Sequence, residues 1–172
     1  MKLQADAEKI HSALEKIAVP GKVYELRALK VPHKGGNRRT FAGFFSDMGK
    51  MSQAAAALSD AGASGVYFTP NPVQAALLER SPNKLSPAQR GLLTTDRDIE
   101  EIRWLLVDID PARPANVSSA KPEKLASKAL AYKIRNHLSD MDWPEPIVGD
   151  SGNGYHLLYR ISGVTSDTVS DL

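Results

Sequence analysis

A nearly continuous apolar run over residues 102–109 constrains the fold of this chain more than any other feature. Such runs are typical of β-strands that are buried on both faces of a sheet. Two prolines, Pro111 and Pro114, follow the run and end the strand, because proline has no backbone N–H to donate to a sheet. We therefore expect this segment to be the strongest strand of the chain.

Hydrophobic periodicity and the positions of glycine and proline predict the remaining elements. Asp47 is the expected N-cap of the second helix. Helices are predicted over 3–18, 50–61, 74–79 and 122–139, and strands over 23–31, 40–45, 65–69, 102–109, 147–148 and 155–161. This order predicts an α/β or α+β domain, with residues 1–20 as a separate N-terminal helix.

The composition excludes several classes of protein. The 172 residues suffice for one domain with a buried core. The chain contains no cysteine, which excludes a disulfide framework, a cysteine nucleophile and a Cys-ligated zinc site. No apolar run approaches the ~18 residues that span a bilayer. We therefore expect a cytoplasmic protein with no membrane partner.

The net charge of +2 conceals an uneven distribution. Residues 1–50 carry ten basic and five acidic side chains, whereas 94–110 carry two basic and six acidic ones. The strands over 23–31 and 40–45, with their Gly-Gly connection, predict a β-hairpin. Its tip is basic, with Lys34, Arg38 and Arg39, and is suited either to a nucleic-acid backbone or to solvent. This charge distribution suits a chain with both a polyanion-binding surface and a cation-binding site. Charged faces that only contact solvent produce a similar uneven distribution.

The acidic site follows directly from the strand at 102–109. Asp108 and Asp110 are two residues apart, so their carboxylates share one face while Ile109 points to the other. Two hard oxygen ligands in this arrangement favour Mg²⁺ or Mn²⁺ over zinc, as in two-metal phosphoryl-transfer sites. The alternative is a strand end whose acids only face solvent. Charges at the end of so apolar a strand favour the metal site.

A glycine-rich turn precedes the last strand. Gly152 and Gly154 permit a tight turn around Asn153, whose backbone N–H groups can face an anion, and Ser151 adds a hydroxyl. His156 begins the strand and can donate to a phosphate oxygen. Arg160, further along, is suited to a triphosphate or to a surface ion pair. The alternative is a structural hairpin turn with a packed histidine; the turn matches neither a Walker A loop nor a nucleophile elbow.

Taken together and in order, the two motifs resemble the archaeo-eukaryotic primase superfamily, which has an acidic hhhDhD strand followed by an s-G-x-G-x-H turn. The segments WLLVDIDPARP and DSGNGYHLLYRI match both motifs. The closer resemblance is to primase-polymerase domains of phage and plasmid primase–helicase proteins, and it extends over residues 23–161. Further segments similar to that group are RTFAGFFSD, GVYFTPNPV, TTDRDIEEIRWLLVDIDP and WPEPIVGDSGNG.

The resemblance implies template-directed nucleotidyl transfer from NTPs or dNTPs on a single-stranded template, with a helicase domain or protein as partner. It implies a palm-like, RRM-related sheet joined to an N-terminal α/β unit. Asp108 and Asp110 match the acids that bind Mg²⁺ or Mn²⁺, and Ser151 and His156 match the residues that hold the triphosphate. The catalytic set is therefore Asp108, Asp110 and His156, and the nucleotide-binding set is Ser151, Gly152, Asn153, Gly154, His156 and Arg160.

The chain departs from the family pattern in one respect. The family has a third motif on a later strand, with a further metal-binding acid, and neither Asp167 nor Asp171 lies in such a strand pattern. We therefore expect 21–172 to be a catalytic domain truncated before its third motif. Two alternatives stay open: a non-catalytic nucleotide- or nucleic-acid-binding module, and a metal-dependent nuclease or phosphoesterase.

Overall fold

The computed structural model describes residues 4–89, 91–113 and 117–164, so Asp167 and Asp171 lie outside the described residues. The chain divides into two compact units. The N-terminal unit extends to Ile102, and the C-terminal unit comprises Arg103–Gly163. Among the described residues, no helix is both long and apolar enough to cross a membrane.

The described residues of the N-terminal unit form one four-stranded sheet and two α-helices. The sheet has the order β3-β1-β2-β4. Its elements are α1 (Ala7–Ile17), β1 (Tyr24–Pro32), β2 (Arg38–Phe45), α2 (Met48–Asp60), β3 (Gly65–Phe68) and β4 (Ser86–Pro87), with short 3₁₀ helices at Lys34–Gly36, Ala75–Arg80 and Asp96–Asp98. The helix predicted over 74–79 is thus a 3₁₀ helix, and the short edge strand β4 lies in a segment where no strand is predicted.

α2 begins directly after its predicted cap, Asp47, whereas α1 begins at Ala7, later than the predicted residue 3. Asp6 caps α1 by accepting hydrogen bonds from the backbone N–H groups of Glu8 and Lys9, and Asp47 caps α2 by accepting one from Lys50. The two helices pack with one face of the sheet in a core that contains Tyr24, Leu26, Phe45 and Met51 among its buried members. The alternation along β1 therefore leaves Glu25 and Arg27 on the other face.

The predicted hairpin is confirmed. β1 and β2 pair in antiparallel register, with Tyr24 opposite Phe45 and Pro32 opposite Arg38. The register shifts between Ala28 and Val31, around Lys30, which has a φ of 48°. A bulge of this kind increases the local twist of the hairpin just before its basic tip.

The C-terminal unit is a three-stranded sheet with one helix. Its elements are β5 (Ile102–Ile109), α3 (Lys121–Ser139), β6 (Ile147–Asp150) and β7 (Tyr155–Val164). β7 lies between β5 and β6, and it pairs with β6 in antiparallel register. Ala131 of α3 packs with Ile109, Leu157 and Tyr159, so α3 covers one face of the sheet.

The expectation that β5 is buried on both faces is wrong. Trp104 and Ile109 are buried, but Leu105 and Leu106 are 41% and 45% exposed. The cluster under α3 includes Val107 and Ile109 and does not extend to these two leucines. The two units together form a mixed helix-and-sheet chain with antiparallel pairing in each sheet, which agrees with the α+β class.

Candidate functional site

Asp108 and His156 meet across neighbouring strands of the C-terminal unit. Asp108 lies on β5 and His156 on β7, and His156 Nε2 is 3.2 Å from Asp108 Oδ1. Their neighbours Ile109 and Leu157 point into the core under α3. Because side chains alternate along a strand, Asp108 and His156 project from the opposite face. Both side chains are partly exposed, at 57% and 38%, so they are accessible to a ligand.

The glycine-rich turn packs directly against the end of β5. Gly154 is buried, and a Cβ at this position would overlap the carbonyl oxygen of Ile109 and lie 2.8 Å from Asp110 Oδ1. Only a residue without a side chain allows this close approach. Gly154 thus brings the second sequence motif into contact with the first.

Asp110 has its own cationic partner. Arg113 Nη2 donates to Asp110 Oδ2 over 3.4 Å, and Arg113 Nη1 donates to the carbonyl of Val117 over 2.6 Å. The Arg113 side chain is only 18% exposed. Its Nε is buried and has no hydrogen-bond partner among the described residues. Arg113 therefore neutralises Asp110 and retains one unused donor beside the acidic strand end.

The turn uses its backbone donors internally. Gly152 N–H donates to Asp150 Oδ1, Gly154 N–H donates to Ser151 Oγ, and Ser151 N–H donates to the carbonyl of Gly154. The sequence predicts that such N–H groups face an anion, whereas in this structure these three close the turn. Gly152 has a φ of 90°, which permits this tight conformation. Donors for an anion must therefore come mainly from side chains.

Asn153 tethers the segment that precedes α3. Its side-chain Oδ1 accepts a hydrogen bond from the Ser119 N–H, and its carbonyl accepts one from the Ser119 hydroxyl, at 3.1 and 2.7 Å. Asn153 is one of the predicted nucleotide-binding residues. The structure gives its side chain a different partner, and its contacts position the start of α3 beside the turn.

Lys124 on the first turns of α3 reaches the same turn. Lys124 Nζ is 2.9 Å from Asp150 Oδ1. This hydrogen bond, together with the one from Gly152 N–H, lowers the pKa of Asp150 from its ordinary value. The pair lies at the surface, so its effect on stability is small. It places an ammonium group at Asp150, the residue that precedes Ser151 in the turn.

We expect the lowered pKa of Asp150 to depend on Lys124. In a ¹³C carboxyl NMR titration, Asp150 should titrate below 3.8, the ordinary value, and Lys124→Ala should return it towards that value. A carboxylate with a lowered pKa contributes stability above its unfolded pKa and loses it as the pH falls through the lowered one. Asp98, whose pKa is lowered by Thr95, is the internal control and should not move. An unchanged Asp150 titration in Lys124→Ala contradicts the assignment.

The remaining predicted residues lie apart from this cluster. Arg160 is exposed on β7, and four strand residues place its Cα about 13 Å from that of His156. In the N-terminal unit, the Arg38 guanidinium donates to the carbonyls of Lys30 and Gly62, both over 2.6 Å. Lys34 and Arg39 are exposed at the hairpin tip. The Arg38 side chain thus stabilises the hairpin. That Lys34 and Arg39 contact a nucleic acid remains a prediction.

The acid pair suits a hard divalent cation in its donor chemistry. Asp108 Oδ2 and Asp110 Oδ1 accept no hydrogen bond within the described part of the chain. Mg²⁺ is commonly held by one or two carboxylates together with water and substrate phosphates, so two carboxylates are a sufficient protein contribution. No group of three or more acidic or histidine side chains suited to a metal occurs among the described residues. Phosphate oxygens would have to complete the coordination.

Comparisons of the chain with protein-family models, with curated proteins and with solved structures find no significant match. The resemblance to the primase superfamily therefore rests on the two sequence motifs.

Sequence reasoning missed Arg113 and Lys124. Arg113 lies three residues after Asp110, within the WLLVDIDPARP segment, and this spacing across a proline-rich turn was the available signal. Lys124 is one of several lysines in the first half of α3. Only the packing of α3 beside the turn distinguishes it.

Proposed function

We propose that the chain carries out template-directed nucleotidyl transfer, as the catalytic domain of a primase-polymerase that uses NTPs or dNTPs. In this proposal the C-terminal unit is the palm, with an RRM-like sheet, and the N-terminal unit is the family's α/β unit. The observation that carries the proposal is the close packing of Gly154 on Asp110, which brings a predicted triphosphate turn to a predicted metal-binding strand end.

The reaction needs positioning and charge neutralisation more than covalent chemistry. A 3′-hydroxyl attacks the α-phosphorus of the incoming nucleotide and gives its proton to water. The new bond joins O3′ to that phosphorus, the bond from the α-phosphorus to the bridging oxygen breaks, and pyrophosphate leaves. A bound Mg²⁺ or Mn²⁺ would neutralise the charge that develops on the phosphate oxygens. Asp108 and Asp110 would hold it.

The chain's own donors then bind the triphosphate. The Ser151 hydroxyl accepts from Gly154 N–H, and its proton is still available to a phosphate oxygen. His156 can turn its donor from Asp108 to the ligand when a cation takes over that carboxylate. The Lys124 ammonium lies at the same turn. Hydrogen-bond donors for the phosphates thus lie on the turn, and the carboxylates of Asp108 and Asp110 lie at the strand end, as a metal–triphosphate complex requires.

We expect Mn²⁺ together with a dNTP to raise the melting temperature of the chain. At ten times the Kd, a ligand that binds only the folded state stabilises it by about 1.4 kcal/mol, which corresponds to a shift of several degrees for a unit of this size. Differential scanning fluorimetry at millimolar ligand measures the shift. The deoxynucleoside replaces the dNTP in the control, because it lacks the phosphates. An equal shift in Asp108→Ala/Asp110→Ala, or no shift in the wild type, contradicts the proposal.

One observation favours a second candidate, a nucleotide-binding module without catalysis. The acid pair lacks a third acidic or histidine ligand among the described residues. Such a module would show the thermal shift with the dNTP but no incorporation of nucleotide on any primed template. The two measurements together therefore separate the enzyme from the module.

A further inference from the structure

The N-terminal unit contains a cleft that the proposed reaction does not use. It has a volume of about 440 Å³, and it lies on the sheet face opposite the core that α1 and α2 share. Its walls come from β1, from β3 with the residue that follows it, and from the segment around the 3₁₀ helix Asp96–Asp98. The cleft is lined by, among others, Glu25, Arg27, Tyr67, Thr94 and Asp96.

An ion pair between a buried carboxylate and a partly exposed guanidinium lies at the floor of the cleft. Glu25 is 1% exposed, and both of its carboxylate oxygens accept from Arg27, Nε to Oε1 and Nη2 to Oε2, each over 2.8 Å. Thr94 N–H donates to Glu25 Oε2 over 2.9 Å. A buried carboxylate requires such partners, because an unpaired charge in the interior is strongly unfavourable. The network holds the segment at Thr94 against β1 and fixes the guanidinium plane.

Two donors in this network lack a partner. The Thr94 hydroxyl is buried and makes no hydrogen bond with the described residues. Arg27 uses Nε and Nη2, and its Nη1 is bonded to no residue that the structure describes. Buried polar atoms are nearly always satisfied in folded proteins, so an unsatisfied hydroxyl lining a cleft indicates a missing ligand group or water.

An aromatic ring stands at the edge of the same cleft. Tyr67 is the register partner of Arg27 across the β1–β3 pair, so both side chains project from one face. Tyr67 is 57% exposed. Its ring lies over Gly65, where a Cβ would come within 2.5 Å of the ring. Glycine at 65 thus leaves room for the ring in this position, and Tyr67 remains accessible to a stacking partner.

We propose that this cleft binds a nucleobase, which stacks on Tyr67 and accepts or donates hydrogen bonds at Thr94 and Arg27. The charged side chains of the lining are two carboxylates and one guanidinium, Glu25, Asp96 and Arg27, so the cleft does not attract a phosphate. A planar, uncharged heteroaromatic ring with polar edges fits both the aromatic wall and the unsatisfied donors. The choice of a nucleobase among such rings rests on the proposed function, because a template-directed enzyme handles unpaired bases.

The test measures binding of single-stranded DNA without metal or dNTP, so it does not depend on turnover. Fluorescence anisotropy compares a labelled oligonucleotide with an abasic oligomer of the same length, which keeps the phosphates and lacks the bases. We expect Tyr67→Ala to weaken binding of the base-containing strand by about 5- to 150-fold, since base–aromatic stacking has this magnitude. Binding of the abasic oligomer should not change. Tyr132→Ala, which removes an exposed tyrosine of α3, is the matched control.

Thr94→Val provides a second variant that keeps the volume of the side chain. It removes an unsatisfied buried hydroxyl, so the unfolding midpoint should stay equal or rise, while base binding weakens by about 2- to 10-fold. If free nucleosides compete with the oligonucleotide, the bound base comes from a free nucleotide. If they do not compete, the bound base belongs to a single strand. Wild-type affinity in both variants, or equal binding of the two oligomers by the wild type, overturns the proposal.

The outcome separates this proposal from the proposed function. If nucleotide incorporation depends on Asp108 but binding of single-stranded DNA is unchanged in Tyr67→Ala, only the proposal of a nucleobase-binding cleft is wrong. If strand binding depends on Tyr67 and no incorporation or metal–dNTP shift occurs, only the catalytic proposal is wrong.

Discussion

Replacing Asp108 with alanine or asparagine is expected to abolish nucleotide incorporation by the chain. Asp108 is half-exposed on β5 and has one carboxylate oxygen that is not paired with His156. If it holds a divalent cation at the reacting phosphate, its loss removes several kcal/mol of transition-state stabilisation. Each 1.36 kcal/mol is a factor of ten, so the rate should fall by about 1000-fold or more. Primer extension with labelled dNTP and Mn²⁺ on a single-stranded template measures it.

Asp140→Asn is the matched control for this experiment. Asp140 is an exposed acid at the end of α3 in the same unit, so the variant changes the charge equally without touching the site. It should incorporate nucleotide at the wild-type rate. The asparagine variant of Asp108 keeps the size of the side chain, which separates loss of charge from loss of packing. Incorporation by Asp108→Asn at the rate of Asp140→Asn would remove Asp108 from the reaction.

Gly154→Ala is expected to have the largest effect on stability. The added Cβ would overlap the Ile109 carbonyl and crowd the Asp110 carboxylate, and both belong to a packed strand end that cannot easily move. Overpacking of this kind costs about 1–3 kcal/mol or more. The turn and β5 must separate to relieve it, so metal-dependent binding of dNTP should be lost as well. Urea unfolding and the thermal-shift titration measure the two effects.

Gly149→Ala is the control for this variant. Gly149 lies opposite His156 on β6, and a Cβ there would make only an ordinary contact of 3.7 Å. Its effect should stay within about 0.5 kcal/mol. Both tryptophans of the chain, Trp104 and Trp143, belong to the C-terminal unit, so tryptophan fluorescence reports the unfolding of that unit alone. Equal unfolding midpoints for the two alanine variants would show that the close approach of Gly154 is not needed.

The elements of the fold were largely predictable because they depend on local patterns. Apolar spacing and a capping aspartate define α2 between Asp47 and Asp60. An apolar run that is followed by two prolines defines β5. The exposure of Leu105 and Leu106 was not predictable. An apolar run indicates which residues favour burial, whereas the tertiary packing on each face of the sheet decides which of them are covered.

The features of the site likewise fall into those that the sequence determines and those that only the tertiary structure determines. By itself the sequence determined which residue types are available: two carboxylates at a strand end and a serine, two glycines and a histidine at a turn. Only the tertiary structure decided that these two groups meet, that Asn153 binds Ser119 instead of facing a ligand, and that Arg113 and Lys124 join the cluster. The reason is physical. Residue identity and local spacing are encoded over a few neighbouring positions, whereas the contact between Gly154 and Asp110 depends on how strands more than 40 residues apart pack in one sheet.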